Sequence, residues 1–232
     1  MSDTAQSSAP QKSTDDGFAA ALRGFGPLGI FAIAVILSGN FIVAPLSAVL
    51  VLGWAALSRT PFAQLGFVRP RSWLNGLLVG IVFGIAFKFA MKAVVMPLLG
   101  APPVNEAYHY LAHNPAVVPQ TLFALTIGAG FGEETVFRGF MFERLGKFLG
   151  SSAVANTAIV LFTAAVFGLA HYSVQGLPGM EQAMITGTVF GTIFAISGRL
   201  YEVMVAHAAF DLTAYAMIYW DFETTVAHLV YR

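Results

Sequence analysis

The chain has 232 residues, of which 57% are hydrophobic and only 10% charged. Counted with glycine in place of tyrosine the apolar share is about 64%, against roughly 45–50% in a soluble domain, so a single polytopic membrane domain fits better than an oversized soluble core. Twelve Lys and Arg balance twelve Asp and Glu, which argues against an electrostatically driven nucleic-acid binder; the absence of cysteine excludes disulfides, thiolate catalysis and Cys-ligated metal.

Met1 to Gly17 is polar, without an apolar run, and is predicted to be a disordered tail rather than a signal peptide. Phe18 to Leu57 is almost continuously apolar apart from Arg23 and Ser38-Gly39-Asn40, and reads as two short spans; one long helix kinked at Pro45 is the rival. Five further spans are expected over Trp73–Leu99, Val117–Leu145, Ala153–Tyr172, Gln182–Ser197 and Val203–Trp220. The fold expected is therefore an all-α polytopic transmembrane bundle of about seven spans, six to eight at the limits. Residues 18–116 form its first helices and an outer loop, 117–220 its second group of helices, and 221–232 a C-terminal tail.

The connections carry a sidedness signal. Arg59, Arg69 and Arg71 share one connection, Arg144 and Lys147 lie two connections on, and Arg199 two beyond that, whereas 100–116 and 173–181 contain no Lys or Arg. The positive-inside rule places the basic loops and the N-terminus in the cytoplasm. Gly76, Gly80 and Gly84, and again Gly187 and Gly191, recur every four residues and mark faces where helices can approach closely.

Most informative are the groups that hydrocarbon disfavours. Glu133, Glu134, Arg138, Glu143, His171, His207, Asp211, Lys88 and Lys92 all fall within or at the edges of predicted spans. A charge at the bilayer centre costs about 2.5–3.5 kcal/mol even on lenient scales, so such groups should face the bundle interior, paired or wet. Glu134 and Arg138 share a helix face at i, i+4, as do Phe167 and His171, and His207 and Asp211. Three helices thus each send polar groups into one interior. A buried carboxylate beside a second carboxylate, with an arginine to pair one of them and two imidazoles nearby, suits water activation for peptide hydrolysis. The same set also suits a proton relay in a transporter or a structural ion-pair network, and spacing alone leaves the three open.

Read in order, these residues spell Glu133-Glu134-x-x-x-Arg138, Phe167-x-x-x-His171 and His207-x-x-x-Asp211 on separate apolar helices. The set resembles the three motifs of the CPBP intramembrane proteases, which include the Rce1-type CAAX prenyl endopeptidases and the bacterial Abi proteins. The resemblance covers roughly 117–220. It implies an intramembrane endopeptidase acting on peptide or protein substrates at the lipid bilayer, with Glu133 as catalytic base, His171, His207 and Asp211 as partners in positioning water or binding a metal, and Glu134 and Arg138 in support. The third motif more often ends in Asn in the family; Asp211 adds negative charge. No cofactor is expected. Zn²⁺ on His171, His207 and Asp211 is the alternative, because ligation by Glu133 would remove the base. The runner-up function is a proton-coupled transporter or a catalytically silent scaffold. Neither HExxH nor GxGD occurs, nor a GxSx nucleophile with a histidine partner.

The remaining polar residues have plainer readings. His109 and His113 are taken as surface or capping groups, Lys88 and Lys92 as snorkelling or paired with Glu106 in preference to lining a cavity, Glu143 with Lys147 as a surface ion pair, and His228 as a solvated tail residue. One conflict stands within this topology: ideal rise puts His171 and His207 roughly 15 Å apart in depth. Their convergence requires tilted helices, a span that starts outside the bilayer, or a misplaced boundary, and a misplaced boundary is expected.

Overall fold

A computed structural model of the chain describes residues 14–39, 42, 43 and 45–231, and these are helical with no strand among them. The expected tail lies outside the described residues up to position 13. From Thr14 onward the chain is already helical, in α1 (Thr14–Arg23), so the tail ends sooner than Gly17. A 60° bend leads into α2 (Pro27–Ser38), and α3 (Leu46–Leu57) follows. Asn40 of the expected turn lies outside the described residues, and Pro45 stands immediately before α3, so the stretch is not one long kinked helix. At 12 residues each, α2 and α3 are about 18 Å long, short of the roughly 30 Å hydrocarbon core.

The next four helices form the body of the protein. Helix α4 (Trp73–Leu98) is capped by Ser72, whose Oγ accepts from the Asn75 N–H at 3.2 Å, and includes a π turn at Met91–Val95. Helix α5 (Pro115–Leu149) is π-helical over Ala124–Glu133 and Thr135–Phe140. Helix α6 (Ala153–Ser197) is capped by Ser152 and folds back at Gly176, whose φ of 63° and ψ of −161° lie outside the helical region and favour glycine. Its two arms pack antiparallel: Gly168 lies against Met184, Gly187 against Ala164 and Gly191 against Val160. Helix α7 (Leu200–Tyr219) and a short α8 (Glu223–Ala227) complete the chain.

Three helices are long and apolar enough to cross a membrane, α4, α5 and α6, or four if the bent α1–α2 pair counts as one. The seven expected spans are not all matched by such helices: 18–57 is broken into short pieces and α7 carries Glu202, His207 and Asp211, whereas the two antiparallel arms of α6 correspond to the expected spans Ala153–Tyr172 and Gln182–Ser197. The glycine stripe of α4 seats α7. Gly76 faces Tyr201, Gly80 faces Val205 and Gly84 faces Ala206 and Ala209, so the two helices run in the same direction with their backbones close. On its opposite face α4 exposes Leu78, Val79 and Val82, the inside-out pattern of a helix packed on protein and turned to lipid.

Two expectations for polar groups are corrected. Glu143 is not a surface residue: it is buried, receives Arg144 at 2.5 and 2.9 Å and also pairs with Lys147. Arg144 in turn donates to the Arg23 carbonyl at 2.7 Å and lies over the Trp54 ring at 4.5 Å, so this pair ties α5 to α1 and α3. The C-terminal segment is not a free tail either. Glu223, Val226 and Ala227 are buried, and Glu223 holds Lys92 at 2.7 Å in place of the expected Glu106. His109, His113 and His228 are exposed, in keeping with their plain reading.

Candidate active site

The wide turns of α5 carry the first two acids in different directions. Glu134 is fully buried, and its Oε1 accepts from Arg138 Nη1 at 2.8 Å and from His207 Nδ1 at 2.6 Å. Arg138, itself 1% exposed, also donates to the Gly187 carbonyl at 3.3 Å and lies under the rings of Phe167 and Phe190 at 4.9 and 5.8 Å. Glu133 points elsewhere. Its side chain is partly exposed and lines a cavity of about 510 Å³ together with His171, His207 and Asp211.

The histidines are oriented from behind. With His207 Nδ1 donating to Glu134, its Nε2 is the ring nitrogen left to face the cavity, 3.8 Å from Glu133 Oε2 and 3.6 Å from Asp211 Oδ2. His171 Nδ1 lies 2.8 Å from the Phe167 carbonyl, which turns its Nε2 outward in the same way. The Phe167 ring stands between the two imidazoles, with centroids 4.5 Å from His171 and 6.0 Å from His207. The two histidines thus meet across Phe167 in spite of the depths expected for them, and the start of α7 is fixed within the protein: Leu200 is fully buried and its N–H donates to the Gly66 carbonyl at 2.9 Å. Gly66 permits this because its φ is 85° and a Cβ there would lie 2.4 Å from Phe194.

All six expected residues therefore converge, in two layers: Glu133, His171, His207 and Asp211 at the cavity, Glu134 and Arg138 beneath it. Sequence reasoning missed part of the wall. Tyr108, on the 3-10 turn Glu106–Leu111 of the outer loop, reaches the cavity and accepts from Gln175 Nε2 at 3.2 Å. Burial, reinforced by the nearby Asp211 charge, pushes its hydroxyl pKa above the usual tyrosine value. Gln175 was accessible from spacing, since it follows His171 by four residues; Tyr108 had no local signal. Lys88 and Gln182 also line the cavity, joined at 3.0 Å.

Among the described residues no group of three or more His, Asp or Glu side chains is placed to hold a metal ion. His171, His207 and Asp211 are thus not gathered into a three-donor set, and no step is derived through a metal.

Comparison with known families bears on the same segment. The family profile described as type II CAAX prenyl endopeptidase Rce1-like matches residues 115–213, which contain all three motifs. The segment is similar to that family. This agrees with the resemblance carried by Glu133-Glu134-x-x-x-Arg138, Phe167-x-x-x-His171 and His207-x-x-x-Asp211. Comparisons with curated proteins and with solved structures each find no match. The Rce1-like match and the apolar helices together identify an integral membrane protein.

Proposed function

We propose that the protein is an intramembrane endopeptidase in which Glu133 activates water. A single observation carries the reading: of two adjacent carboxylates, Glu134 is occupied by Arg138 and His207, while Glu133 faces the cavity. Glu133 takes a proton from water as the water attacks the scissile carbonyl, then returns it to the leaving amine. His171 and His207 hold the water and the developing oxyanion through their cavity-facing nitrogens, and Glu134 fixes the His207 ring. Asp211 shares His207 with Glu133 and limits how far that ring can turn. The substrates are peptides or proteins at the membrane, and zinc takes no part in this scheme. The Rce1-like match supports the hydrolytic reading, and no observation favours the transporter or scaffold.

The test is cleavage of a peptide library by purified protein in detergent. Glu133→Gln should lower turnover by about 10²–10⁴ while leaving the thermal transition near that of the parent. Parent-like turnover in that variant would remove Glu133 from its role.

A further inference from the structure

Tyr108 lines the cavity of Glu133 without belonging to any of the three motifs, and its place is set from both sides of the outer loop. Before it, the Asn105 N–H donates to Glu223 Oε2 at 3.3 Å; after it, the His113 N–H donates to the Tyr219 carbonyl at 3.0 Å. Leu111, between these anchors, is buried against Tyr215 and Ile218 of α7. The loop is therefore clamped to the end of α7 and to α8, and Tyr108 reaches the cavity from a fixed base.

Its hydroxyl is oriented as well as placed. The oxygen accepts from Gln175 Nε2 at 3.2 Å, and among the described residues that amide is its one hydrogen-bond partner, so the phenolic hydrogen is not spent on the protein. Gln175 follows His171 by four residues on the first arm of α6, so the amide that holds the hydroxyl is one helical turn, about 6 Å along the axis, from the imidazole. Gly179 keeps room for it: a Cβ there would lie 2.0 Å from Gln175 Cβ and 2.9 Å from its Oε1.

Hydrolysis needs more than a base. Glu133 and Asp211, once ionised, can only accept, so the charge that grows on the carbonyl oxygen must be met by donors held in place beforehand. We propose that Tyr108 is a further catalytic residue, its hydroxyl donating to the scissile carbonyl oxygen as that oxygen becomes negative, beside the donors supplied by the histidines. This rests on the hydrolytic reading above. The phenol keeps its proton throughout, and Glu133 remains the group that carries the proton from water to the leaving amine. Burial and the Asp211 charge, with lesser contributions from Tyr110 and Glu133, raise the Tyr108 pKa against the lowering by the Gln175 bond, so the donor form persists well above neutral pH.

The test is steady-state kinetics on full-length protein in detergent, with the library peptide that the parent cleaves fastest. Tyr108→Phe keeps the ring and removes the oxygen. Its kcat should fall by about 10- to 10²-fold, the worth of a hydrogen bond to a charged group, with KM within about threefold of the parent. Two further readouts separate this from a merely structural role. Gln175→Leu should lower kcat in the parent yet add nothing in Tyr108→Phe, because the amide acts through the hydroxyl. A ring-fluorinated tyrosine at position 108, a more acidic phenol, should bring the alkaline fall of kcat to lower pH, since the ionised form cannot donate. Parent-like kcat in Tyr108→Phe, a loss confined to KM, full additivity with Gln175→Leu, or an alkaline limb indifferent to fluorination overturns the proposal. Should Tyr108→Phe fail to fold, the fluorinated protein, which keeps the hydroxyl, decides the matter by its pH profile. Each of these failures leaves cleavage by the parent intact; a parent that cleaves nothing, or as fast as Glu133→Gln, sinks the hydrolytic reading and the role of Tyr108 with it.

Discussion

Removal of the Arg138 guanidinium should be among the most damaging single changes in the protein, and the structure sets its size. Glu134 and Arg138 side chains are 0% and 1% exposed, and the pair is already short of partners, since Glu134 Oε2 and Arg138 Nε have none among the described residues. In Arg138→Met the carboxylate keeps only the His207 bond at 2.6 Å and becomes an uncompensated buried charge, a loss of about 3–5 kcal/mol. Glu134→Gln keeps an amide oxygen within reach of Arg138 Nη1 but removes the counter-charge of the buried guanidinium, and should cost a similar amount. The double variant Arg138→Met/Glu134→Gln strands neither charge and should lie within about 1–2 kcal/mol of the parent, because replacing a whole buried pair is often close to neutral. The cycle therefore predicts a coupling of about 3 kcal/mol or more. Unfolding by SDS titration in mixed micelles measures it, with Trp54 as the fluorophore nearest the pair's helix, its ring 5.0 Å from that of Phe140. Losses that simply add, to within about 0.5 kcal/mol, would show that the two residues are not acting as an ion pair.

Other consequences are simpler to check. Gly84→Ala places a Cβ 2.3 Å from the Ala206 carbonyl oxygen and should cost about 1–3 kcal/mol in the same titration, whereas Gly53→Ala meets nothing within 4 Å and should be neutral or slightly stabilising. With no native cysteine, Arg71→Cys and Arg199→Cys should react with an impermeant thiol reagent only from the cytoplasmic side, and Glu106→Cys only from the other; one-sided labelling of Arg71→Cys and Glu106→Cys together would reject the orientation. Peptidase activity should survive dialysis against a strong chelator, and its loss with recovery on added Zn²⁺ would make the enzyme a metalloprotease.

How far the sequence alone reached depends on the range of each signal. Glu134 with Arg138, and His207 with Asp211, were legible because i, i+4 spacing is a property of one helix, and membrane burial makes any such charge conspicuous. The α4 stripe was legible for the same reason: small residues every four positions state that something packs there, although not that the partner is α7. What escaped was long-range or of mixed period. Glu143 reads as a surface residue because its neighbour Arg144 is engaged by Trp54 and the Arg23 carbonyl, which reach it only on folding. Glu223 was placed in a tail because its partner Lys92 is 131 residues away. The π turns of α5 left no mark, since over ten mostly apolar residues a slightly longer period resembles an ordinary helix. The fold-back of α6 had a signal in Gly176 and Pro178, yet a span count based on apolar length still differs from the helices that form.

The hydrogen bond from Leu200 to Gly66 has a bearing on the lipid environment. Bilayers differ by several ångströms in thickness, and a helix whose start is set by the lipid surface shifts vertically as its host membrane changes. Here the height of His207 is measured from a buried protein turn, seven residues below it along α7, with Phe167 and Glu134 braced against the ring from the other helices. Tilting or local thinning then moves the assembly as a unit, and the spacing between Glu133 and His207 is kept. Reconstitution in lipids of increasing acyl length should therefore change substrate entry and KM before it changes the rate of the bond-breaking step.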